Sequence, residues 1–549
     1  MKKIYKYLAL GLICSSITLV GFKYEDRYFE IAKNLDIFAT LFKELNALYV
    51  DEINPNKAMR TSINAMLKEL DPYTNFYPED DIEDYRTMAT GKYNGIGATV
   101  SEVYGEHTIV MIYQDSPADK AGMKIGDVIS HINGVNIIGK DSEQLGRLLK
   151  GQTDTQIDLT IKRFGQNKPL NLSVKRAVVK TPNVPHYGMV TDEVGYIQLT
   201  DFSATAATEI KSAFQEMKDL GMKKLIIDLR SNPGGLLNMA IDICNFFIQK
   251  GELVVETKGK VEQWNKKYTA RFNPLDLEMP IAVLINSGSA SASEIVSGTL
   301  QDYDRAVIIG QRSFGKGLVQ TTRPLSFNTQ LKVTTAKYYI PSGRCIQALD
   351  YSHRNEDGSV GKVADSLRST FFTKNGRPVL DGGGVDPDIS LNTKELSVLS
   401  KQLIKEGVVF DFATEYYFKN LTTVPGDKFV PSEALYTSFL AFVKKSGFNY
   451  YNNADDALVE LELLASKDKS YALLGSSLEP IRVLINKKNL SDYQTYKEEI
   501  KDEIALEILS RYHYDKAMKF VSFEKDQEIQ EALKLFQDMK RYNAILKGK

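Results

Sequence analysis

Cysteine is scarce in this chain of 549 residues: Cys14, Cys244 and Cys345 are all there is. Three is too few for a disulfide scaffold, and the spacing is not that of a zinc site. A Cys244–Cys345 bridge requires an oxidising compartment; two unpaired buried thiols are the simpler expectation. The five histidines, His107, His131, His186, His353 and His513, stand far apart. None sits in an H-E-x-x-H or other clustered arrangement, so neither a metal-bound water nor a histidine-based triad is indicated. A surplus of charge is missing too. Lys and Arg number 69 against 70 Asp and Glu, so the balance does not favour a nucleic acid partner, for which a basic domain or stripe is expected, though it is compatible with a local basic groove. No metal, no cofactor and no nucleic acid partner is expected. Low complexity and internal repeats are not evident.

Long apolar runs are nearly absent as well. The uncharged run from Leu8 to Phe22 follows Lys2, Lys3 and Lys6. It is shorter than the roughly 20 residues of a spanning helix, and it has the basic start and apolar body of an export signal. No A-x-A site follows it, and Gly11-Leu12-Ile13 before Cys14 is a poor lipidation signal. Residues 1–24 are therefore read as a signal peptide or a retained membrane anchor. The chain is then exported across the cytoplasmic membrane, to be periplasmic or anchored facing outside the cytoplasm.

What is present divides the chain into three or four domains at roughly 150 residues each. Residues 25–90 read as a helical region. Leu35, Phe38, Phe42, Leu45 and Leu48 form one apolar stripe, and a second periodic segment from Ala58 to Leu70 stops at Asp71-Pro72. Such stripes are packing surfaces, within the chain or across a dimer. Between residues 91 and 177 the texture becomes short strands and tight turns, with Asn133-Gly134 a turn signal. Residues 178–392 alternate buried strands (Leu225–Arg230, Ile281–Ile285) with helices, the pattern of an α/β core. The polar, Gly-containing stretch from about Asp350 to Gly384 reads as a flexible loop. Residues 393–549 are helical and charged, without a catalytic motif.

Ser116-Pro117-Ala118, Ala121-Gly122, Gly126-Asp127 and Ile132-Asn133-Gly134 together make a pattern that resembles a PDZ domain. The resemblance implies that an exposed sheet edge accepts a peptide strand and that the loop Gly95, Ile96 and Gly97 takes the terminal carboxylate through its N–H groups. A purely structural module, without ligand, is the alternative.

Three further segments carry chemistry. Gly288-Ser289-Ala290-Ser291-Ala292-Ser293-Glu294 links a buried strand to a helix. A serine there is exposed where helix N–H groups favour negative charge, although serine is also a common N-cap. Arg312-Ser313-Phe314-Gly315-Lys316-Gly317-Leu318-Val319-Gln320 sets a lysine between glycines, and a lysine is a general base only when neutral. In Asp228-Leu229-Arg230-Ser231-Asn232-Pro233-Gly234-Gly235 the glycines let backbone N–H groups approach an oxyanion, or merely make a turn.

Together these segments resemble the carboxyl-terminal processing, or tail-specific, proteases. The resemblance implies a crotonase-like α/β protease core with an inserted PDZ domain, an N-terminal helical region and a C-terminal helical domain. It implies Ser291 as nucleophile, Lys316 as general base and Gln320 as the residue that orients the lysine. The oxyanion hole is then the N–H of Ala292 with that of Gly235 or Gly234. Expected partners are polypeptide substrates with free C-termini, with a regulatory or adaptor protein and a homo-oligomer as further candidates. A catalytically silent scaffold, or acyl-transfer chemistry on the same core, are the competing readings.

Overall fold

The computed structural model describes residues 27–355, 359–392, 395–426, 429–467, 471–514 and 523–548. The export segment 1–24 and Cys14 lie outside the described residues. The described residues up to Phe76, with Leu331–Val333, form one compact unit, and the remaining described residues form a second.

In the first unit a helix covers 27–48 and another spans Pro55–Lys68, capped by the Asn54 side chain, which accepts from the Lys57 N–H. This second segment stops at Asp71, whose Oδ1 accepts from the amides of Tyr73 and Thr74 at 2.8 Å each. The apolar stripe of the first helix faces outward: Leu35, Phe38, Leu45 and Leu48 are all exposed. Among the described residues no helix is long and apolar enough to cross a membrane.

The centre of the second unit is a six-stranded sheet, ordered His186–Met189, Val194–Gln198, Lys224–Asp228, Ile281–Ile285, Ala306–Gly310 and Ile389–Ser390. All neighbours pair in parallel except the first two strands. A parallel strand covered on both faces must be apolar throughout, which is why Ile281–Ile285 and Ala306–Gly310 are wholly buried. One face, with Leu225, Ile227, Val283 and Ile308, packs against the helices Ala206–Asp219, Leu237–Asn245 and Ala292–Asp302. The other, with Tyr196, Ile226, Leu284 and Ile309, is covered by Ile529, Leu535, Phe536 and Tyr542 of the helices Gln527–Gln537 and Met539–Leu546. Chain far downstream of the α/β segment thus closes its core.

A second sheet sets Leu253–Lys258 between Lys266–Thr269 and Gln330–Tyr339, with Leu318–Pro324 beside the last. Many of the described residues of Asp350 to Gly384, the stretch expected to be a flexible loop, are exposed, but the stretch also carries short paired strands. It forms the hairpin pairs Leu349–Arg354 with Val360–Lys362 and Thr370–Phe372 with Pro378–Leu380. Buried Arg377 pairs with Asp304 at 2.6 Å and Asp388 at 2.5 Å, and Arg368 with Asp386 at 2.6 Å. The buried arginines Arg368 and Arg377 tie this largely exposed stretch to the core. Cys244 and Cys345 are both free; burial pushes the Cys244 thiol up to about 12.

The PDZ module is an antiparallel sheet ordered Ala98–Val103, Glu106–Ile112, Val128–Ile132, Gln156–Lys162 and Leu170–Lys175. Its core holds Ile109, Ile129, Ile132 and Leu159. Asn133 (φ 48°) and Gly134 (φ 77°) make the tight turn that the sequence signals, both in the left-handed region. The chain enters and leaves this module through one two-stranded stem, Lys92–Gly95 against Ala177–Lys180. The C-terminal helices from Val398 to His513 share a core of Leu399, Phe412, Phe439 and Ile504 and clasp the PDZ module. Tyr514 donates to Asp119 at 2.7 Å, and the rings of Phe164 and Phe418 stack at 6.2 Å.

Candidate active site

Three turns follow the strands Lys224–Asp228, Ile281–Ile285 and Ala306–Gly310. These strands are parallel neighbours, so their C-terminal ends and the turns beyond them share one edge, where α/β sheets place their sites.

Ser291 opens the helix Ala292–Asp302 with φ 54° and ψ −111°, a backbone geometry unfavourable to any residue with a Cβ. Local bonds hold it there. The Ser291 N–H donates to Glu294 Oε2 at 2.8 Å. Its carbonyl accepts from the amides of Glu294 and Ile295 at 2.9 Å and from the Tyr338 hydroxyl at 3.1 Å. The flanking serines are fasteners: Ser289 Oγ donates to Leu229 O at 2.7 Å and Ser293 Oγ to Asn232 O at 3.0 Å, and both are fully buried. Ser291 is only partly buried.

The turn after Asp228 meets Ser291 through backbone. Asn232, fully buried, donates from Nδ2 to Leu199 O at 2.7 Å, and its Oδ1 accepts from the Gly234 N–H at 2.8 Å. The Asn232 carbonyl accepts from the Ala290 amide at 3.0 Å. Gly234 has φ 99°, and a Cβ there would lie 2.8 Å from both Ser291 Cβ and Ala292 N. At Gly235 a Cβ would lie 2.7 Å from Phe202 O. Only glycines permit these approaches.

The third turn carries Lys316, which is partly buried. Its amide donates to Glu294 Oε2 at 2.9 Å; the Gly315 amide at 2.7 Å and Ser313 Oγ at 2.5 Å donate to Oε1 of the same carboxyl. Glu294 therefore receives donors from the turns of Ser291 and of Lys316. Burial pushes its pKa up to about 7, against the lowering effect of those four donors. In the sequence Glu294 stands within the serine motif with no role apparent. The available signal was a Glu three residues after a serine at a helix start, the capping-box spacing. Asn232 is another residue whose role only the fold reveals. Gln320, on the strand Leu318–Pro324, donates from Nε2 to Thr334 Oγ1 at 3.2 Å.

Gly95, Ile96 and Gly97 lie in the PDZ module. The Ile96 carbonyl accepts from the Ala118 amide at 2.7 Å, and the Gly97 carbonyl from the Tyr113 amide at 3.0 Å and Ser116 Oγ at 3.1 Å. The loop is thus laced to the Ser116-Pro117-Ala118 turn. It leads into Ala98–Val103, which among the described residues pairs on one side only and so forms a sheet edge. The four histidines whose side chains are described lie elsewhere: His107 contacts Ile137 O, His131 Ser130, His186 the ring of Phe523, and His513 Pro425 O.

Comparison with known proteins defines the class. Residues 193–352 match peptidase family S41, residues 108–163 the PDZ domain, and residues 399–536 the family described as "Probable PDZ-protease, C-terminal helical domain". The protein is a serine peptidase with an inserted PDZ module and a helical domain. It belongs to the carboxy-terminal-processing protease family. Over 347 residues it is 37% identical to the carboxy-terminal-processing protease of Bartonella bacilliformis, covering 62% of this chain and 78% of that protein. Over 314 residues it is 32% identical to a "Probable CtpA-like serine protease" of Staphylococcus epidermidis, covering 57% of this chain and 63% of that one. Among solved structures, the photosystem II D1 C-terminal processing protease is 25% identical with a TM-score of 0.35, covering 66% of this chain and 93% of that chain.

Proposed function

We propose that this protein is an exported endopeptidase that cleaves polypeptides recruited by their free C-termini, with Ser291 and Lys316 as a catalytic dyad. Lys316, neutral, accepts the proton of Ser291 Oγ as the serine attacks a peptide carbonyl. The tetrahedral oxyanion is held by the N–H groups of Ala292 and Gly235. The Gly234 N–H is committed to Asn232 Oδ1, which favours Gly235 as the second donor. Lys316 passes the proton to the leaving amine, and the acyl-enzyme is then hydrolysed by a water that Lys316 deprotonates. Gln320, held to Thr334, keeps the lysine side chain oriented.

The strongest support is the Glu294 carboxylate, which binds the amides of Ser291 and Lys316 on one oxygen and so fixes the two turns in mutual register. The one-sided edge of Ala98–Val103 beside Gly95–Gly97 suits a peptide tail adding as a strand. The basic and apolar residues 1–24 act as export signal or membrane anchor, placing the enzyme in the periplasm or facing outside the cytoplasm. The outward apolar stripe on 27–48 suits a second copy or an adaptor protein.

The test is labelling by a fluorophosphonate probe, with the modified residue mapped by mass spectrometry of peptides. Modification at Ser291 that disappears in Lys316→Ala is expected. An unlabelled folded wild type would favour the silent scaffold.

A further inference from the structure

Arg230 stands two residues before Asn232, where the strand Lys224–Asp228 gives way to the glycine turn. Three carboxylates hold its guanidinium. Asp228 takes Nε at 3.0 Å on both oxygens and Nη2 at 2.6 Å. Asp526 takes Nη2 at 2.8 Å, and Glu528 takes Nη1 at 3.2 Å. Asp228 and Glu528 are 2% exposed. Asp228 also accepts from the Tyr196 hydroxyl at 2.7 Å and from the Arg230 amide at 2.9 Å. Asp526 divides its carboxylate: Oδ1 caps the helix Gln527–Gln537 by accepting from the Ile529 amide at 2.9 Å, and Oδ2 faces Arg230.

One guanidinium among three carboxylates is a poor stabilising device, because the desolvation of buried charge offsets most of the attraction. What the cluster does is fix geometry. The residue after Arg230, Ser231, has φ 58°. Its amide donates to Asn286 Oδ1 at 2.8 Å, and its Oγ accepts from Asn286 Nδ2 at 3.1 Å. Asn286 Oδ1 also accepts from the Gly288 amide at 2.9 Å, and the Asn286 amide donates to Ser289 Oγ at 3.0 Å. Bonded contacts therefore run from Glu528 and Asp526 through Arg230 and Ser231 into both the glycine turn and the nucleophile turn.

We infer that Arg230 is a positioning residue for the oxyanion-binding turn and that Asp526 and Glu528 hold it in place, so that the N-terminus of the helix Gln527–Gln537 beneath the sheet completes the catalytic centre from behind. This rests on Ser291 as nucleophile and Gly235 as oxyanion donor. Arg230 touches no reacting atom; it acts through Ser231 and Asn232.

The test uses the full chain in detergent and the variants Glu528→Gln, Asp526→Asn and Arg230→Lys. It measures kcat and KM on an unstructured peptide and the inhibition constant of a peptidyl boronate, which mimics the tetrahedral intermediate. Because a misplacement of about 1 Å in the reacting geometry lowers rate about 100-fold, kcat is expected to fall about 10-fold in Glu528→Gln and about 100-fold in Arg230→Lys, with KM within about twofold. Boronate affinity falls by the same factors. The double variant Arg230→Lys with Glu528→Gln is no worse than Arg230→Lys alone, since both changes act on one link. If Arg230→Lys does not fold, Glu528→Gln decides. Unchanged kcat and boronate affinity in folded Glu528→Gln, or a loss that follows melting temperature and raises KM equally, overturns the inference. Cleavage that survives Ser291→Ala instead overturns the dyad on which it rests.

Discussion

Ser291 and Lys316 donate their amide hydrogens to the same oxygen, Glu294 Oε2, at 2.8 and 2.9 Å. Since the carboxyl is fully buried and faces four donors, replacing it by Glu294→Gln sets an NH2 group against N–H or O–H groups. The turns then lose their common anchor. We expect kcat to fall about 100-fold, the scale of a geometric misplacement of about 1 Å, with binding of a tail peptide unchanged. Stopped peptide-cleavage assays alongside peptide titrations check this.

The same carboxyl gives a pH dependence. Its pKa is raised from 4.5 to about 7 by burial, so the folded state holds the proton over a range where the unfolded chain has released it. Its contribution to stability is full below pH 4.5 and is lost as pH rises through about 7, a change on the order of 3 kcal/mol. The bonds that align the turns need the carboxylate, so activity moves the opposite way and rises through about pH 7. Glu294→Gln lacks both effects. Melting temperatures and kcat for wild type and variant at pH 5, 6, 7 and 8 separate them: the wild type's stability advantage shrinks with pH while its advantage in rate grows.

Gly234→Ala tests the close approach of the glycine turn. The added Cβ would lie 2.7 Å from Ala290 O and 2.8 Å from Ser291 Cβ, at φ 99°. Displacing the turn moves the oxyanion donor proposed at Gly235, and loss of one such donor lowers kcat by about 100- to 1000-fold. Tail-peptide affinity should stay at the wild-type value, because the PDZ loop is a separate structure.

These features were unequally legible in the sequence. The apolar runs at 225–227, 281–285 and 306–309 announced buried strands, and the spacing of Ser291, Lys316 and Gln320 was readable once the family resemblance was seen. The second cover of the sheet was not, because the amphipathic stripe of Ile529, Leu535 and Phe536 shows that a face is buried but not against what. Glu294 was hidden for a similar reason: a capping-box glutamate looks local, and its bonds to Gly315 and Lys316 are made across the fold. The polar, exposed character of Asp350 to Gly384 was legible, but not the buried pairs of Arg368 with Asp386 and of Arg377 with Asp304 and Asp388 that tie it to the core, because those partners lie outside the stretch.

Recognition at the PDZ loop should depend on the substrate's terminal charge. Hydrogen bonds to a charged group are worth about 1.5–3 kcal/mol, so amidating the C-terminus of a tail peptide should weaken its binding to full-length Ser291→Ala by about 10- to 100-fold, read by fluorescence anisotropy. Equal affinity for acid and amide would place recognition elsewhere.

The clasp between PDZ module and helical domain is equally open to test. A Cβ at Gly126 would lie 2.5 Å from Thr414 Cγ2, at φ 93°, so Gly126→Ala should destabilise by about 1–3 kcal/mol through overpacking and backbone strain. Adding Thr414→Ser removes that methyl and keeps the hydroxyl that accepts from Arg511 at 2.9 Å. Part of the lost melting temperature should return, and the part due to φ should not.

The central claim, a Ser291–Lys316 dyad serving tail-recruited proteolysis, is tested most directly by cleavage of an unfolded reporter protein. Wild type, Ser291→Ala and Lys316→Ala are compared, each folded as judged by its melting curve, on reporters that differ only in an apolar or a charged C-terminal tail. The account predicts cleavage by wild type, a tail preference, and loss of cleavage in both variants. Cleavage that persists in either folded variant would contradict it.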